Sequence, residues 1–212
     1  MSLVEMINVS KGFKGINIFE DLNITFEKEE IYGIVGPNGS GKSVLFKIIC
    51  GFIFPDSGVI KINGNEMNLK NRFPTNFGII IDRPGYLEDK SGYENLEYLA
   101  LIRKKIGKDE IKTAMERVGL DPNLKTKVKN YSLGMKQKLA LCQAIMEDQD
   151  VLLLDEPFNA LDKSSVENIR NLLLDLHKQS KTIFITSHNQ MDIDLLCTKV
   201  YEIDNQKLKL IV

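Results

Sequence analysis

Hydrophobic positions along this chain change period several times, and the changes mark its elements. Near the N terminus Val4, Met6 and Ile7, then Leu22, Ile24 and Phe26, alternate as half-buried strands do, with a turn expected at Lys11-Gly12. After the charged stretch Glu27–Glu30, the β-branched run Ile31-Tyr32-Gly33-Ile34-Val35 predicts a short buried strand. Val44–Cys50 predicts an apolar helix stopped by Gly51. Pro55-Asp56-Ser57-Gly58 reads as a turn, Val59–Ile62 as a strand, and Asn63-Gly64 as a hairpin signal. Phe77–Ile81 is another short apolar strand.

The period then becomes helical. Ser91–Lys105 and Asp109–Val118 place Leu96, Leu99, Ala100 and Ile106 on one side, with Gly119 as a stop. A further helix starts at Ser132 and carries Leu139, Ala140, Ala144 and Ile145. From Val151 strands and helices alternate again. Val151–Leu154 and Thr182–Thr186 are fully buried strands, Lys163–Lys178 and Met191–Cys197 are helices, and Lys199–Asp204 with Lys207–Val212 make a closing hairpin. That alternation implies a mostly parallel sheet covered on both faces. The expected fold is α/β, with an antiparallel β part and a helical insert over residues 84–138 dividing a core of 1–83 and 139–212.

Composition adds mainly exclusions. A formal net charge of −1 gives no global attraction to nucleic acid or anionic lipid. Cys50, Cys142 and Cys197 are odd in number and far apart, which suits buried free thiols in a reducing compartment better than a zinc site. No apolar run approaches a membrane span and no signal-peptide layout opens the chain. The expectation is a soluble, cytosolic protein whose membrane work, if any, needs another polypeptide.

The strongest chemical signal is Gly36-Pro37-Asn38-Gly39-Ser40-Gly41-Lys42-Ser43, set between the strand ending at Val35 and the helix opening at Val44. Glycines let the backbone take φ > 0 and approach an anion without a Cβ in the way. Successive N–H groups and the helix N-terminus then form an anion nest. Lys42 adds a point charge for β- and γ-phosphates, and the Ser43 hydroxyl is a hard oxygen ligand for Mg²⁺.

A second signal closes the strand Val151–Leu154 with Asp155-Glu156-Pro157. Two adjacent carboxylates at the C-terminal edge of a parallel sheet stand where ligands bind, and burying them needs a compensating charge. Mg²⁺ on a nucleotide supplies one, with Asp155 holding the metal and Glu156 orienting and deprotonating the attacking water. Tyr131-Ser132-Leu133-Gly134-Met135-Lys136-Gln137-Lys138 is the third signal. Ser132 is a natural N-cap and Gly134 leaves nearby amides exposed, as in a second anion site, although a plain capped helix reads the same way.

Together these features resemble the nucleotide-binding subunit of ATP-binding cassette (ABC) transporters, through nearly the whole chain. Gly36–Ser43 looks like the Walker A loop, Val151–Glu156 like Walker B, Tyr131–Gln137 like the signature sequence, Leu161-Asp162 like the D-loop and His188 like the switch histidine. Phe13 sits where the family places an aromatic ring against adenine. The resemblance implies a P-loop NTPase fold with ATP and Mg²⁺ as cofactors. It implies hydrolysis in a head-to-tail pair with a second ATP-binding subunit, the same chain or a close relative. Ser132 and Gly134 would reach the partner's γ-phosphate. His188 would hold Glu156 and the water in cis. Asp162 would bridge the copies, although an N-cap for the following helix is equally natural. His177, at a helix end, is read as an ordinary satisfied side chain.

Some positions depart from the family pattern. Asp82 stands in place of a glutamine that touches Mg²⁺ and water, so it is either a metal contact or a turn residue. Leu133 and Met135 replace a glycine and a glutamine of the signature, while Phe13 keeps a stacking face where tyrosine is common. These departures look like the branch that exports antibiotics and antimicrobial peptides. The expected partner is a transmembrane permease subunit, with this chain peripheral on the inner face of the cell membrane and docked through the region near Asp82–Leu87 and Tyr93–Leu96. A soluble ABC-type ATPase acting on nucleic acid would need a long coiled coil or a second cassette, and a non-hydrolysing regulator would not retain Lys42, Glu156 and His188.

Overall fold

The computed structural model describes residues 1–70, 73–82 and 85–212. The Arg83-Pro84 part of the stretch after Asp82, where the helical insert is expected to begin, lies outside them.

Two sheets form. β1 (Ser2–Phe13), β2 (Ile16–Glu27), β4 (Ser57–Ile62) and β5 (Asn65–Glu66) pair antiparallel in the order β2-β1-β4-β5. β3 (Ile31–Val35), β6 (Phe77–Ile80), β7 (Val151–Leu154), β8 (Thr182–Ile185), β9 (Lys199–Asp204) and β10 (Lys207–Leu210) order as β10-β9-β3-β8-β7-β6, parallel except for β10. The N-terminal turn falls at Lys14-Gly15 instead of Lys11-Gly12. Both residues have positive φ there, while Lys11 and Gly12 remain paired with β2. Register shifts along β1 explain why Ile7 faces solvent and Val9 faces the core. Asn63 and Gly64 both take positive φ in the β4–β5 hairpin, the geometry that suits strand twist.

The helices are α1 (Lys42–Ile49), α2 (Gly92–Arg103), α3 (Lys108–Arg117), α4 (Leu133–Ile145), α5 (Lys163–Lys178) and α6 (Gln190–Leu196). Their starts follow from the residues before them. Ser91 and Glu94 form a reciprocal capping box for α2, and Ser132, Asp162 and Asn189 cap α4, α5 and α6 through side-chain oxygens. His177 is satisfied by the Glu29 carbonyl at 3.0 Å.

Two cores flank the parallel sheet. On one side Tyr32 of β3 stacks on Phe184 of β8 at 4.9 Å, and Phe26 of β2 meets both rings edge-on, joining the two sheets. The Tyr32 hydroxyl donates to the Glu27 carbonyl at 3.0 Å, so this buried polar group is not left unpaired. On the other side Leu139, Ala140 and Ala144 of α4 join Leu96 and Met115 of α2 and α3 to Leu152 and Leu154 of β7. Cys50 and Cys142 lie buried as free thiols, and burial pushes both pKa values up to about 12, while Cys197 is partly covered. No helix among the described residues is long and apolar enough to cross a membrane.

α4 packs on β6 so closely that a Cβ on Gly78 would lie 1.9 Å from the Ala144 carbonyl oxygen. Gly78→Ala is therefore expected to lower stability by about 3 kcal/mol, within the range for overpacked cores. Denaturant unfolding checks this, and an unchanged midpoint would contradict the packing.

Candidate functional site

The site lies at the C-terminal edge of the parallel sheet, where β3, β7 and β8 end side by side. The loop from Gly36 to Gly41 turns β3 into α1. A Cβ on Gly41, at φ 111°, would lie 2.6 Å from Ile18 Cγ2 and 2.9 Å from Phe19 Cζ, so β2 backs the loop and only glycine fits. No side chain caps α1, and its first turn holds no acidic residue. Its leading amides are thus kept for an external anion. The Lys42 ammonium folds back and donates to the Gly36 carbonyl at 2.7 Å and the Pro37 carbonyl at 3.1 Å.

Across the cleft stands Asp155. Ser43 Oγ donates to its Oδ2, and Thr186 Oγ1 donates to its Oδ1 at 2.6 Å. The same Thr186 oxygen accepts from the Glu156 amide at 2.8 Å. One threonine at the end of β8 therefore fixes both carboxylate-bearing residues. Sequence reasoning assigned Thr186 no role. Its signal was a polar residue closing an otherwise apolar strand, and it is fully buried.

Glu156 has φ 51°, a strained conformation for this residue type, and it swings its carboxylate into the cleft. Its Oε1 is buried without a hydrogen bond among the described residues, yet His188 Nε2 stands 3.2 Å away. That distance permits an ion pair but the two groups are not aligned for a hydrogen bond. Burial raises the Glu156 pKa above the usual carboxylate range, and the nearby imidazole offsets this only in part.

Asn38, Gly39, Gly41, Lys42, Ser43, Val44, Asp155, Glu156 and His188 thus line one cleft of about 250 Å³. Gly36 and Pro37 shape it from behind through the carbonyls that hold Lys42, and Ser40 Oγ is buried in the loop. Other residues expected at the site do not line it. Phe13 lies half exposed with Lys11 Nζ 5.0 Å from its ring centre, and Asp56 secures this segment through Lys11 and the Gly12 amide. Ser132 caps α4 by accepting from the Met135 amide at 3.1 Å, and Gly134 permits the Ala160 carbonyl to pack where a Cβ would sit 2.8 Å from it. Asp162 caps α5 through the Ser165 amide at 2.7 Å. Asp82 is paired with Lys47 of α1 at 2.6 Å and faces a neighbouring groove with Gln137, Asp155 and Glu156. Gln137, also given no role from sequence, donates to the Pro157 carbonyl at 3.0 Å and more weakly to that of Glu156 at 3.3 Å, tying α4 to the loop after β7. A larger groove of about 680 Å³ between α5 and α6 contains none of the phosphate-loop residues.

Thr186→Val keeps the shape and removes both hydrogen bonds. It is expected to destabilise the fold by about 2 kcal/mol, the cost of orphaning a buried amide and a carboxylate oxygen. Equilibrium unfolding in urea measures this, and a loss below about 0.5 kcal/mol would show that the two carboxylate residues are held by other contacts.

Comparison with known proteins gives the same picture. The family described as ABC transporter matches residues 19–159. The uncharacterized ABC transporter ATP-binding protein YybJ of Bacillus subtilis (strain 168) is 39% identical over 207 residues, covering 98% of this chain and 95% of that protein. The bacitracin transport ATP-binding protein BcrA of Enterococcus faecalis is 36% identical over 91% of this chain, which spans 63% of its length. The lantibiotic transport ATP-binding protein SrtF of Streptococcus pyogenes is 29% identical, covering 92% of this chain and 83% of its own. In fold, the dimeric post-hydrolysis state of the ATP-binding cassette MJ0796, bound to ADP and Pi, superposes with TM-score 0.88 at 23% identity, over 98% of this chain and 97% of that one. With phosphate loop, paired carboxylates and family match in agreement, this chain belongs to the ABC transporter family, as an ATP-binding subunit that hydrolyses ATP.

Proposed function

We propose that this chain is a single ATP-binding domain that drives a separate membrane permease, with residues 84–138 as its helical part and the remainder as its core. Lys42 and the amides of Gly39, Gly41, Ser43 and Val44 take the phosphates, with Asn38 at the rim and Phe13 stacking on adenine. Mg²⁺ fits the donor set. Ser43 Oγ and Asp155 are hard oxygens already in contact, and no cluster of three or more His, Cys, Asp or Glu among the described residues could hold a metal alone. Such a pair suits an ion that draws its other ligands from phosphate and water. When bound, it neutralises charge on the transferring phosphate.

The chain's own residues do the rest. Lys42 exchanges its two loop carbonyls for phosphate oxygens, so its charge is delivered without a large movement. Glu156 accepts a proton from the attacking water through its unpartnered Oε1, and His188 keeps that carboxylate aimed. Ser132 and Gly134 meet the γ-phosphate of a second ATP-binding subunit, with Asp162 at the same junction. Asp82 serves as an ion-pair partner of Lys47, and a metal contact would require that pair to open.

The reading places the chain in the cytoplasm, on the inner face of the cell membrane beneath its permease. The relatives named for bacitracin and lantibiotic transport support export of an antibiotic or antimicrobial peptide as the task.

The single observation carrying the proposal is a half-buried, strained Glu156 whose Oε1 is buried and unpartnered among the described residues, set in one cleft with the phosphate loop. Glu156→Gln tests it. Turnover is expected to fall at least about 100-fold while ATP binding persists, and a variant at the parental rate would remove Glu156 from the chemistry. Because burial raises the Glu156 pKa above the ordinary glutamate value of 4.5, ionisation opposes folding. The penalty is complete above the folded-state pKa and vanishes below the unfolded one. The same variant should therefore unfold at a higher temperature than the parent at neutral pH, the gap closing as pH falls towards 4.5. Parental turnover should fail on the acid side at a midpoint above 4.5. A midpoint at or below that value would contradict the buried geometry.

A further inference from the structure

His188 is more than half exposed, so packing around the ring does not set its aim. The residues on either side of it are held instead. Ser187 Oγ donates to Asp192 Oδ2 at 2.6 Å, and the Asn189 amide donates back to Ser187 Oγ at 3.1 Å. Asn189 caps α6, and the Asp192 amide donates to the Asn189 carbonyl at 3.0 Å. Asp192 is 2% exposed, and such a carboxylate needs a counter-charge. Arg170 of α5 supplies it, with Nε 2.9 Å from Oδ1 and Nη2 closer still on the same oxygen. Nothing in the phosphate chemistry uses this buried pair. α5 is the helix capped by Asp162, so the pair also ties the histidine loop to the segment expected at the subunit junction.

We propose that Arg170, Asp192 and Ser187 form a positioning brace that fixes His188 against Glu156. The guanidinium holds one carboxylate oxygen, the other oxygen accepts from Ser187, and Ser187 orients the backbone on both sides of the imidazole. Without the hydroxyl the Asn189 amide and Asp192 lose the partner they share, the main chain around His188 is free to shift, and His188 loses its set distance from Glu156. This inference rests on His188 and Glu156 being the hydrolytic pair.

Ser187→Ala tests the brace while keeping Arg170 paired with Asp192 Oδ1. In the full chain kcat for magnesium-ATP is expected to fall about tenfold, the equivalent of one hydrogen bond to a charged group. KM should stay within about twofold, while the unfolding midpoint should fall modestly, because Asp192 Oδ2 and the Asn189 amide lose a partner. Ser187→Thr, which keeps the hydroxyl, should restore the rate. In a His188→Ala background Ser187→Ala should cost nothing further, because the two act as one unit. The chain has 2 histidines, so the imidazole resonances report directly. Ser187→Ala should shift the His188 signal and leave His177 unmoved. Parental turnover in Ser187→Ala while His188→Ala is slow, an equal loss in both backgrounds, or an unmoved His188 signal would each overturn the brace. A His188→Ala variant at the parental rate would instead remove the hydrolytic pair, and the brace with it.

Discussion

The structure depends on one small set of bonds around Asp155. A carboxylate at the end of a strand as apolar as Val151–Leu154 is costly to bury, and it is tolerated because a hydroxyl meets each oxygen. One hydroxyl comes from Ser43 at the start of α1 and the other from Thr186 at the end of β8. The edge of the sheet is closed further by the Asp155 amide, which donates to the Ile80 carbonyl at 2.7 Å, and by the Thr186 amide, which donates to the Leu154 carbonyl at 3.1 Å. Three strand ends and the start of α1 are therefore locked in mutual register before any ligand arrives. Such preorganisation matters for phosphoryl transfer, where catalysis is mostly positioning and charge stabilisation.

The elements were legible because their periods are clean. Val151–Leu154 is a continuous apolar strand and Thr182–Ile185 a fully buried one, Lys163–Lys178 is a helix with both ends marked, and Ser91 and Ser132 signal caps that the fold uses. The first hairpin was less so. Register shifts along β1 carry the strand through Lys11-Gly12, and the chain reverses only at Lys14-Gly15. A bulge changes which face a residue takes, and no local composition announces it.

In the site, the phosphate loop and both carboxylates could be read from residue type and order. Thr186, Gln137 and the Arg170–Asp192 pair could not, because their partners lie 31, 19 and 22 residues away. Contacts at that range are set by topology. The placement of Asp82 was likewise closed to sequence reasoning, since nothing local reveals that Lys47 on α1 faces it. Gly134 acquires a plain packing reason as well: the Ala160 carbonyl occupies the space a side chain would need. That close approach, with Gln137 bonded to the carbonyls of Glu156 and Pro157, ties the start of α4 to the loop after β7.

The central claim is that Ser43 and Asp155 form the protein's share of a metal site completed by a triphosphate. Equilibrium binding of ATP with and without magnesium, to the parent and to Ser43→Ala, tests it most directly. Magnesium should tighten ATP binding to the parent, and the tightening should be lost in the variant while metal-free binding stays close to parental. A variant in which magnesium tightens binding as much as in the parent would contradict the account.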